Sequence, residues 1–262
     1  MIDRDLICKE QVYLINDSFQ NRKQYNIPKA QLVIADIPYN VGNNAYASQA
    51  CWYKDNDIKN GASDKANKQF SDTDKNFNLN EFFHFYSKLL KPEPKETGGA
   101  GCIIVFCAWE QQFELIEIAK KFGFKNYIPI NFYKNYSPQV LKANMRIVGN
   151  TEYALILYRD KLPKFNNNGK MVFNSIPWVR DNDTPRIHPT QKSVYVLEFL
   201  INLFTDVGDV VIDPCAGSGS TLLACKRLNR RCYGFEIKKE FVRDFNEKLI
   251  KNVQLNLLAY AQ

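Results

Sequence analysis

Four short runs in this chain are apolar at every consecutive position: 32–35 (LVIA), 102–106 (CIIVF), 154–157 (ALIL) and 210–212 (VVI). A strand with one wet face alternates apolar and polar residues, so runs without alternation require cover on both faces. A largely parallel sheet between two layers of helices supplies that cover. Seven segments rich in β-branched and aromatic residues read as strands, at 12–15, 31–35, 102–107, 127–133, 153–158, 209–212 and 231–235. Helical spacing fills intervals between and after them, at 79–90, 110–122, 193–204, 218–228 and 238–252. In the first of these, Phe82, Phe85, Tyr86 and Leu89 fall at i, i+3, i+4 and i+7, a core-facing stripe. Gly123 follows two lysines and is placed for a left-handed cap. The expected fold class is therefore α/β, with seven mostly parallel strands and helices on both faces.

Two stretches break the alternation. Residues 41–78 are rich in Asn, Ser, Asp, Lys and Gly, contain Trp52, and read as a polar insertion in which lysines balance aspartates. A loop of that size inside a compact domain is usually either functional or mobile. Residues 160–187 are basic, hold the sequence NNNG, and suit neither helix nor strand. With no internal repeat and no linker, residues 1–262 are expected to form one domain.

Several functional classes are set aside at this stage. No run approaches the ~18 apolar residues a membrane span needs, and the opening MIDRDLICKE is too charged for a secretory signal, so a cytoplasmic protein without membrane partners is expected. The seven cysteines form no CxxC pairs and only two histidines exist, His84 and His188, so no metal site is expected. The net charge of +7 is concentrated. Between positions 134 and 192 lie ten basic residues and four acidic ones, a local +6, which points to a polyanionic partner.

Three constellations carry chemistry. The strand 209–212 runs into Asp213-Pro-Cys-Ala216-Gly217-Ser218-Gly219-Ser220-Thr221 and then a helix. An acid followed by a turn of small residues lets the backbone approach a nucleotide-like ligand closely. The turn lacks the third glycine of a dinucleotide fingerprint, since position 222 is Leu, and lacks the lysine of a phosphate-cradling loop. At the tip of the next strand, Glu236 is placed either to accept from ribose hydroxyls or to cap the helix that starts near Lys238. Loop and acid without phosphate-binding cations suit a nucleoside that has no pyrophosphate. The buried strand 31–35 ends in Asp36-Ile37-Pro38-Tyr39, which sets a carboxylate, backbone carbonyls and a flat ring around one cavity. The third, His188-Pro-Thr190-Gln191-Lys192-Ser193, precedes a helix that Thr190 or Ser193 is placed to cap.

Taken in order, DIPY, HPTQKS, DPCAGSGST and a terminal GFE resemble the DNA amino-methyltransferases that use S-adenosylmethionine, whose usual forms of the first three are DPPY, HPTQKP and DPFxGSGT. The resemblance covers roughly Val12 to Phe245, and a catalytic block preceding the cofactor block resembles the β class, a circularly permuted version of the Rossmann-like methyltransferase fold. Ile37 stands in place of a proline, Ser193 in place of another, and Cys215 where an aromatic is usual.

The resemblance implies methyl transfer to the N6 amine of a flipped-out adenine in double-stranded DNA. Asp36 and a carbonyl of Ile37 or Pro38 would each accept one amine hydrogen, and Tyr39 would stack on the base. Asp, not Ser, at position 36 points to adenine; cytosine N4 is the alternative. Cofactor contacts carry over to Asp213, Ala216, Gly217, Ser218, Gly219, Ser220 and Glu236, to Thr190, Gln191 and Lys192, and to Asp17 beyond the first strand. Lys134, Lys142, Arg146, Arg180 and Arg186 are placed to meet phosphates or guanine edges, Gln139 and Asn144 to read adenine. A homodimer is left open, as is a restriction partner. Two rival chemistries fit less well: Cys215 lies inside the cofactor turn and not at a base, and RNA or protein-glutamine methyltransferases of this fold usually carry Asn at the position of Asp36. A DNA-binding decoy that kept the fold and lost turnover is the rival from another class.

Overall fold

The computed structural model describes residues 12–38, 77–96, 98–136, 139–142, 145, 147–188 and 190–250. In chain order the strands are β1 (Val12–Ile15), β2 (Leu32–Asp36), β3 (Cys102–Cys107), β4 (Asn126–Tyr133), β5 (Gln139–Lys142), β6 (Ile147–Gly149), β7 (Thr151–Tyr158), β8 (Ser175–Pro177), β9 (Val210–Asp213) and β10 (Arg231–Phe235). The helices are α1 (Leu79–Leu89), α2 (Gln111–Lys121), α3 (Val194–Phe204), α4 (Ser220–Arg227) and α5 (Lys239–Asp244), the last continuing as a π-helical turn over Phe245–Ile250.

All seven expected strands enter one eight-stranded sheet of order β1-β10-β9-β2-β3-β7-β4-β8. Only β7 pairs antiparallel with its neighbours in it, so the sheet is mostly parallel as anticipated. The eighth strand is the correction. β8 lies within the basic stretch that suited no strand, holds Pro177, and docks on the edge strand β4 through bonds from Asn131 N to Asn174 O (2.7 Å) and Trp178 N to Tyr133 O (2.8 Å). Proline is tolerated on an edge, and three residues carry no periodic signal. β5 and β6 form a separate two-stranded ribbon between β4 and β7.

The unbroken apolar runs do what their composition requires. Leu32 and Ile34 join the core under α3 and α4, whereas Val33 and Ala35 join the opposite core under α1 and α2. On α1 the buried residues are Phe82, Phe83, Tyr86 and Leu89. Phe85, expected in that stripe, is only partly buried and lies under the Arg22 guanidinium, 5.0 Å from ring centroid to charge. Asn78 caps α1 by accepting from the amides of Asn80 and Glu81. Gly123 ends α2 at φ +90°, as its position predicted. No helix among the described residues is long and apolar enough to cross a membrane.

Of all these pairings, the one between β2 and β9 places the site. From β9 the chain winds through α4 to β10 and outward to the partner strand β1; from β2 it winds through α1 to β3 in the opposite direction. Such a reversal opens a crevice beyond the carboxyl ends of the two strands. The turn after β9 is tight there. Gly219 stands at φ +75° as the N-cap of α4, and a Cβ on it would lie 2.3 Å from the Phe245 ring. Gly219→Ala should therefore lower stability by about 1–3 kcal/mol through overpacking and a left-handed backbone. A urea midpoint unchanged from wild type would show that Phe245 yields instead.

Candidate active site

Every element that ends at the β2/β9 edge delivers a chemistry-bearing residue. Asp36 ends β2 and Asp213 ends β9, Glu236 follows β10, and Asp17 lies two residues beyond β1. Because β7 runs antiparallel, its beginning lies at the same edge, and it brings Glu152 there beside Lys134, which follows β4.

On the β9 side the turn is built around buried carboxyls. Asp213 is 4% exposed and accepts from the Cys215 amide (3.0 Å). Burial pushes its carboxyl up from 3.8 to about 7, Thr221 and the Cys215 amide oppose the shift, and the neighbouring Asp36 and Glu236 add to it. Glu236 takes the Gly217 amide on Oε2 (2.9 Å) and the Lys238 amide on Oε1 (2.7 Å), so it both holds the turn and caps the start of α5. Burial raises its pKa as well. Ser218 and Ser220 share a hydrogen bond of 2.8 Å, and Ala216 anchors the turn by donating its amide to the Phe235 carbonyl (2.9 Å). Asp17 is held by the Ser18 amide, Asn21 and the Tyr25 hydroxyl; these bonds, Asn21 foremost, lower its pKa.

The β2 side is organised by ion pairs. Lys192 Nζ lies 3.0 Å from Asp36 Oδ1 and 2.9 Å from Glu152 Oε2, and Lys134 pairs with Glu152 Oε1. Next to Asp36, the Ile37 amide donates to the Phe106 carbonyl (3.2 Å) and the Pro38 carbonyl accepts from Gln111 Nε2 (2.9 Å). The same Gln111 side chain accepts from the Ala108 amide (2.9 Å), which locks the exit of β2 to the exit of β3.

The block 188–193 differs in detail from its expected duty. Lys192 points to Asp36 and Glu152. Gln191 folds back on its own loop, accepting from the Ile187 amide and donating to the Pro185 carbonyl. Thr190 bonds His188 Nδ1 at 3.2 Å through its amide. Neither Thr190 nor Ser193 caps α3, because Asp181 Oδ2 reaches across to take the Val194 amide (3.1 Å). His188 packs on Phe241 and covers Gly217, whose Cβ would meet its Nε2 at 3.8 Å. Burial, with the cations Lys238, Lys192 and Arg186, lowers its pKa to about 4, so it is neutral with Nδ1 as acceptor.

Among residues expected at DNA, Arg180 and Arg186 are exposed, the former over the Tyr136 ring. Lys134 is not: it is buried against Glu152 and the Trp178 ring, since an ion pair and a ring together compensate its desolvation. Gln139 and Lys142 begin and end β5. Tyr39, Asn144, Arg146 and residues 41–76 of the polar insertion lie outside the described residues. Sequence reasoning missed Glu152, Gln111 and His188 as site residues. Glu152 carried a signal as a charge just ahead of the apolar run of β7, and His188 as the first residue of HPTQKS; Gln111 carried none. Among the described residues no cluster of three or more His, Cys, Asp or Glu is arranged to hold a metal ion.

A carboxylate edge and a small-residue turn meeting at a strand-order reversal mark the ligand crevice of a doubly wound α/β protein. The comparisons refine this. A family model described as DNA methylase matches residues 30–247, and the chain belongs to that N6/N4 DNA methylase family. It is 24% identical over 268 residues to the type II methyltransferase M.HpaI of Haemophilus parainfluenzae, covering 95% of this chain and 74% of that one. A shorter match, 44% identical over 62 residues, links it to M2.DpnII of Streptococcus pneumoniae and covers 24% of this chain and 23% of that one. Among solved structures, a complex of M1.HpyAVI with SAM has a TM-score of 0.63 at 23% identity, covering 91% of this chain and 99% of that one. The PvuII DNA methyltransferase, described as cytosine-N4-specific, has a TM-score of 0.63 at 16% identity, covering 93% and 88%. Both structures share the fold.

The raised carboxyl makes a pH prediction. Asp213 carries an extra proton in the native state between 3.8 and about 7, so its contribution to stability declines as pH rises through that window. Urea unfolding should show wild type losing more stability than Asp213→Asn from about pH 4 to about pH 7. Equal losses would mean that Asp213 ionises normally.

Proposed function

We propose that this chain transfers a methyl group from S-adenosylmethionine to the N6 amine of an adenine turned out of double-stranded DNA. The observation that carries the reading is the adjacency of Asp36 and the Asp213–Ser220 turn at the β2/β9 crevice, in a chain of the N6/N4 DNA methylase family. The donor set fits the cofactor. Two buried carboxyls, Asp213 and Glu236, and a glycine turn with no lysine or arginine between 213 and 221 suit a cationic amino-acid nucleoside without phosphates. When bound, that cofactor supplies an electrophilic methyl on a sulfonium.

The protein's own part is at the nucleophile. An exocyclic amine is weak because its lone pair is delocalised into the ring, and two acceptors on its hydrogens localise it. Asp36 supplies one acceptor. The other is the carbonyl of Ile37 or of Pro38, the latter already accepting one bond from Gln111 and keeping a second lone pair. An amine held this way would be placed to take the methyl, leaving the cofactor as a neutral thioether, and the acidic cationic amine would release its proton to solvent without a tuned histidine base. His188, held neutral and against Gly217, is consistent with that. Tyr39 stacks on the turned-out base.

For DNA, the ribbon β5–β6 follows β4 at the catalytic edge, with Gln139 and Lys142 at the ends of β5; these, with Asn144, Arg146, Arg180 and Arg186, are the residues we assign to phosphates and base edges. Asp17 and Glu236 line the ribose side, and Thr190 and Gln191 close over the methionine end. Asp at position 36 favours adenine over cytosine.

Transfer of tritiated methyl groups to unmethylated DNA tests this. Wild type should incorporate label, Asp36→Ala should lose about 10²-fold or more, and the digested product should be N6-methyladenine. N4-methylcytosine as product would overturn the base assignment, and tight DNA binding without incorporation would identify a decoy.

A further inference from the structure

Lys192 is the only lysine of the motif HPTQKS, and it sits in a chain of four alternating charges. Lys134 pairs with Glu152 Oε1, Glu152 Oε2 lies 2.9 Å from Lys192 Nζ, and Lys192 Nζ lies 3.0 Å from Asp36 Oδ1. The side chains of Lys134, Glu152 and Lys192 are 8%, 18% and 12% exposed, whereas Asp36 retains 31%. Oδ1 of Asp36 is buried, so that exposure belongs to the outer part of its side chain. The chain thus begins in the interior and reaches the crevice only at the carboxylate that the proposed function uses.

One ammonium shared by two carboxylates has a chemical consequence. A cation given wholly to Asp36 would withdraw charge from the carboxylate and weaken it as an acceptor for an amine hydrogen. Dividing the cation with Glu152 leaves Asp36 anchored but still basic. We propose that Glu152 is a positioning residue for methyl transfer: it holds Lys192 against Oδ1 of Asp36 and takes up part of its charge, so that Asp36 presents an aimed, strongly accepting oxygen to the target amine. This rests on the reading of Asp36 as the amine's acceptor.

The surroundings leave the assignment to Glu152. The groups facing Lys192 and Asp36 are Glu152 from β7, Lys134 after β4, the Cys107 thiol of β3, the Asp213 carboxyl of β9 and His188 from the preceding loop. Of these, Glu152 is the anion in direct contact with the Lys192 ammonium besides Asp36. It stays ionised, since Lys192 and Lys134 outweigh its burial and hold it down at about 2.

Glu152→Gln keeps a hydrogen-bond acceptor for the ammonium and removes the charge. Three measurements follow on the full chain. The single-turnover methylation rate of Glu152→Gln should fall about tenfold or more, with KM for the cofactor within twofold of wild type. In a Lys192→Met background the same substitution should cause no further slowing, because Glu152 acts through Lys192. In a carbon-detected NMR titration of the labelled Asp36 carboxyl, the pKa should drop in Glu152→Gln and rise in Lys192→Met. A rate within twofold of wild type, an equal slowing with and without Lys192, or an Asp36 titration unmoved by Glu152→Gln would each overturn the proposal. The titration needs no turnover, so a wild type that fails to methylate DNA would sink the proposed function while the link from Glu152 to Asp36 is still decided.

Discussion

The parallel pairing of β2 with β9 is a short contact: Leu32 opposite Val211, Val33 opposite Ile212, with Gln31 N bonded to the Val210 carbonyl at 2.9 Å. About two thirds of the chain separates these strands, yet their register sets the two halves of the site. It brings the end of β2, with Asp36, beside the end of β9, with Asp213, and the electrostatic influence of Asp36 on Asp213 follows from that proximity. Because parallel strands need crossovers, and the crossovers from β2 and β9 leave in opposite directions, the backbone parts at this point. The crevice is a consequence of connectivity before any side chain is considered.

Charge then differentiates the two sides. On the β9 side, burial discourages ionisation of Asp213 and Glu236, and backbone amides, two of them on Glu236, partly compensate. On the β2 side, lysines offset burial and keep Glu152 ionised. One edge of one sheet therefore presents carboxyls that are reluctant to carry charge next to carboxylates that are made to carry it. A cation brought beside the first kind would favour their ionised form, because a nearby opposite charge lowers a carboxyl's pKa.

The strands were legible because both-face burial leaves a composition signature: LVIA and CIIVF carry no polar residue to turn outward, and the structure buries all nine of these residues. The glycine cap at Gly123 and the small-residue turn at Gly217 and Gly219 were legible because few residues other than glycine adopt positive φ. β8 was not, since three residues with a proline owe their strand geometry to the edge of β4. Phe85 and Phe83 exchanged expected roles because a helix stripe is wide enough for either, and only packing against Phe124 beyond α2 and against Phe19 chose between them.

For the site, sequence by itself determined which residue types stand at strand ends: Asp36 after one apolar run, Asp213 and a glycine turn after another, Glu236 after the strand 231–235. Local chemistry suffices for that, because a strand end, a tight turn and a cap each restrict the residues that fit. Only tertiary structure decided the partnerships. That Lys192 reaches Asp36, that Glu152 stands behind it, that Lys134 is buried instead of facing DNA, and that Gln111 fixes the Pro38 carbonyl all depend on contacts between residues far apart in the chain. Ion pairs and hydrogen bonds of this kind act over a few ångströms of space, and linear order carries no record of them until the sheet is assembled.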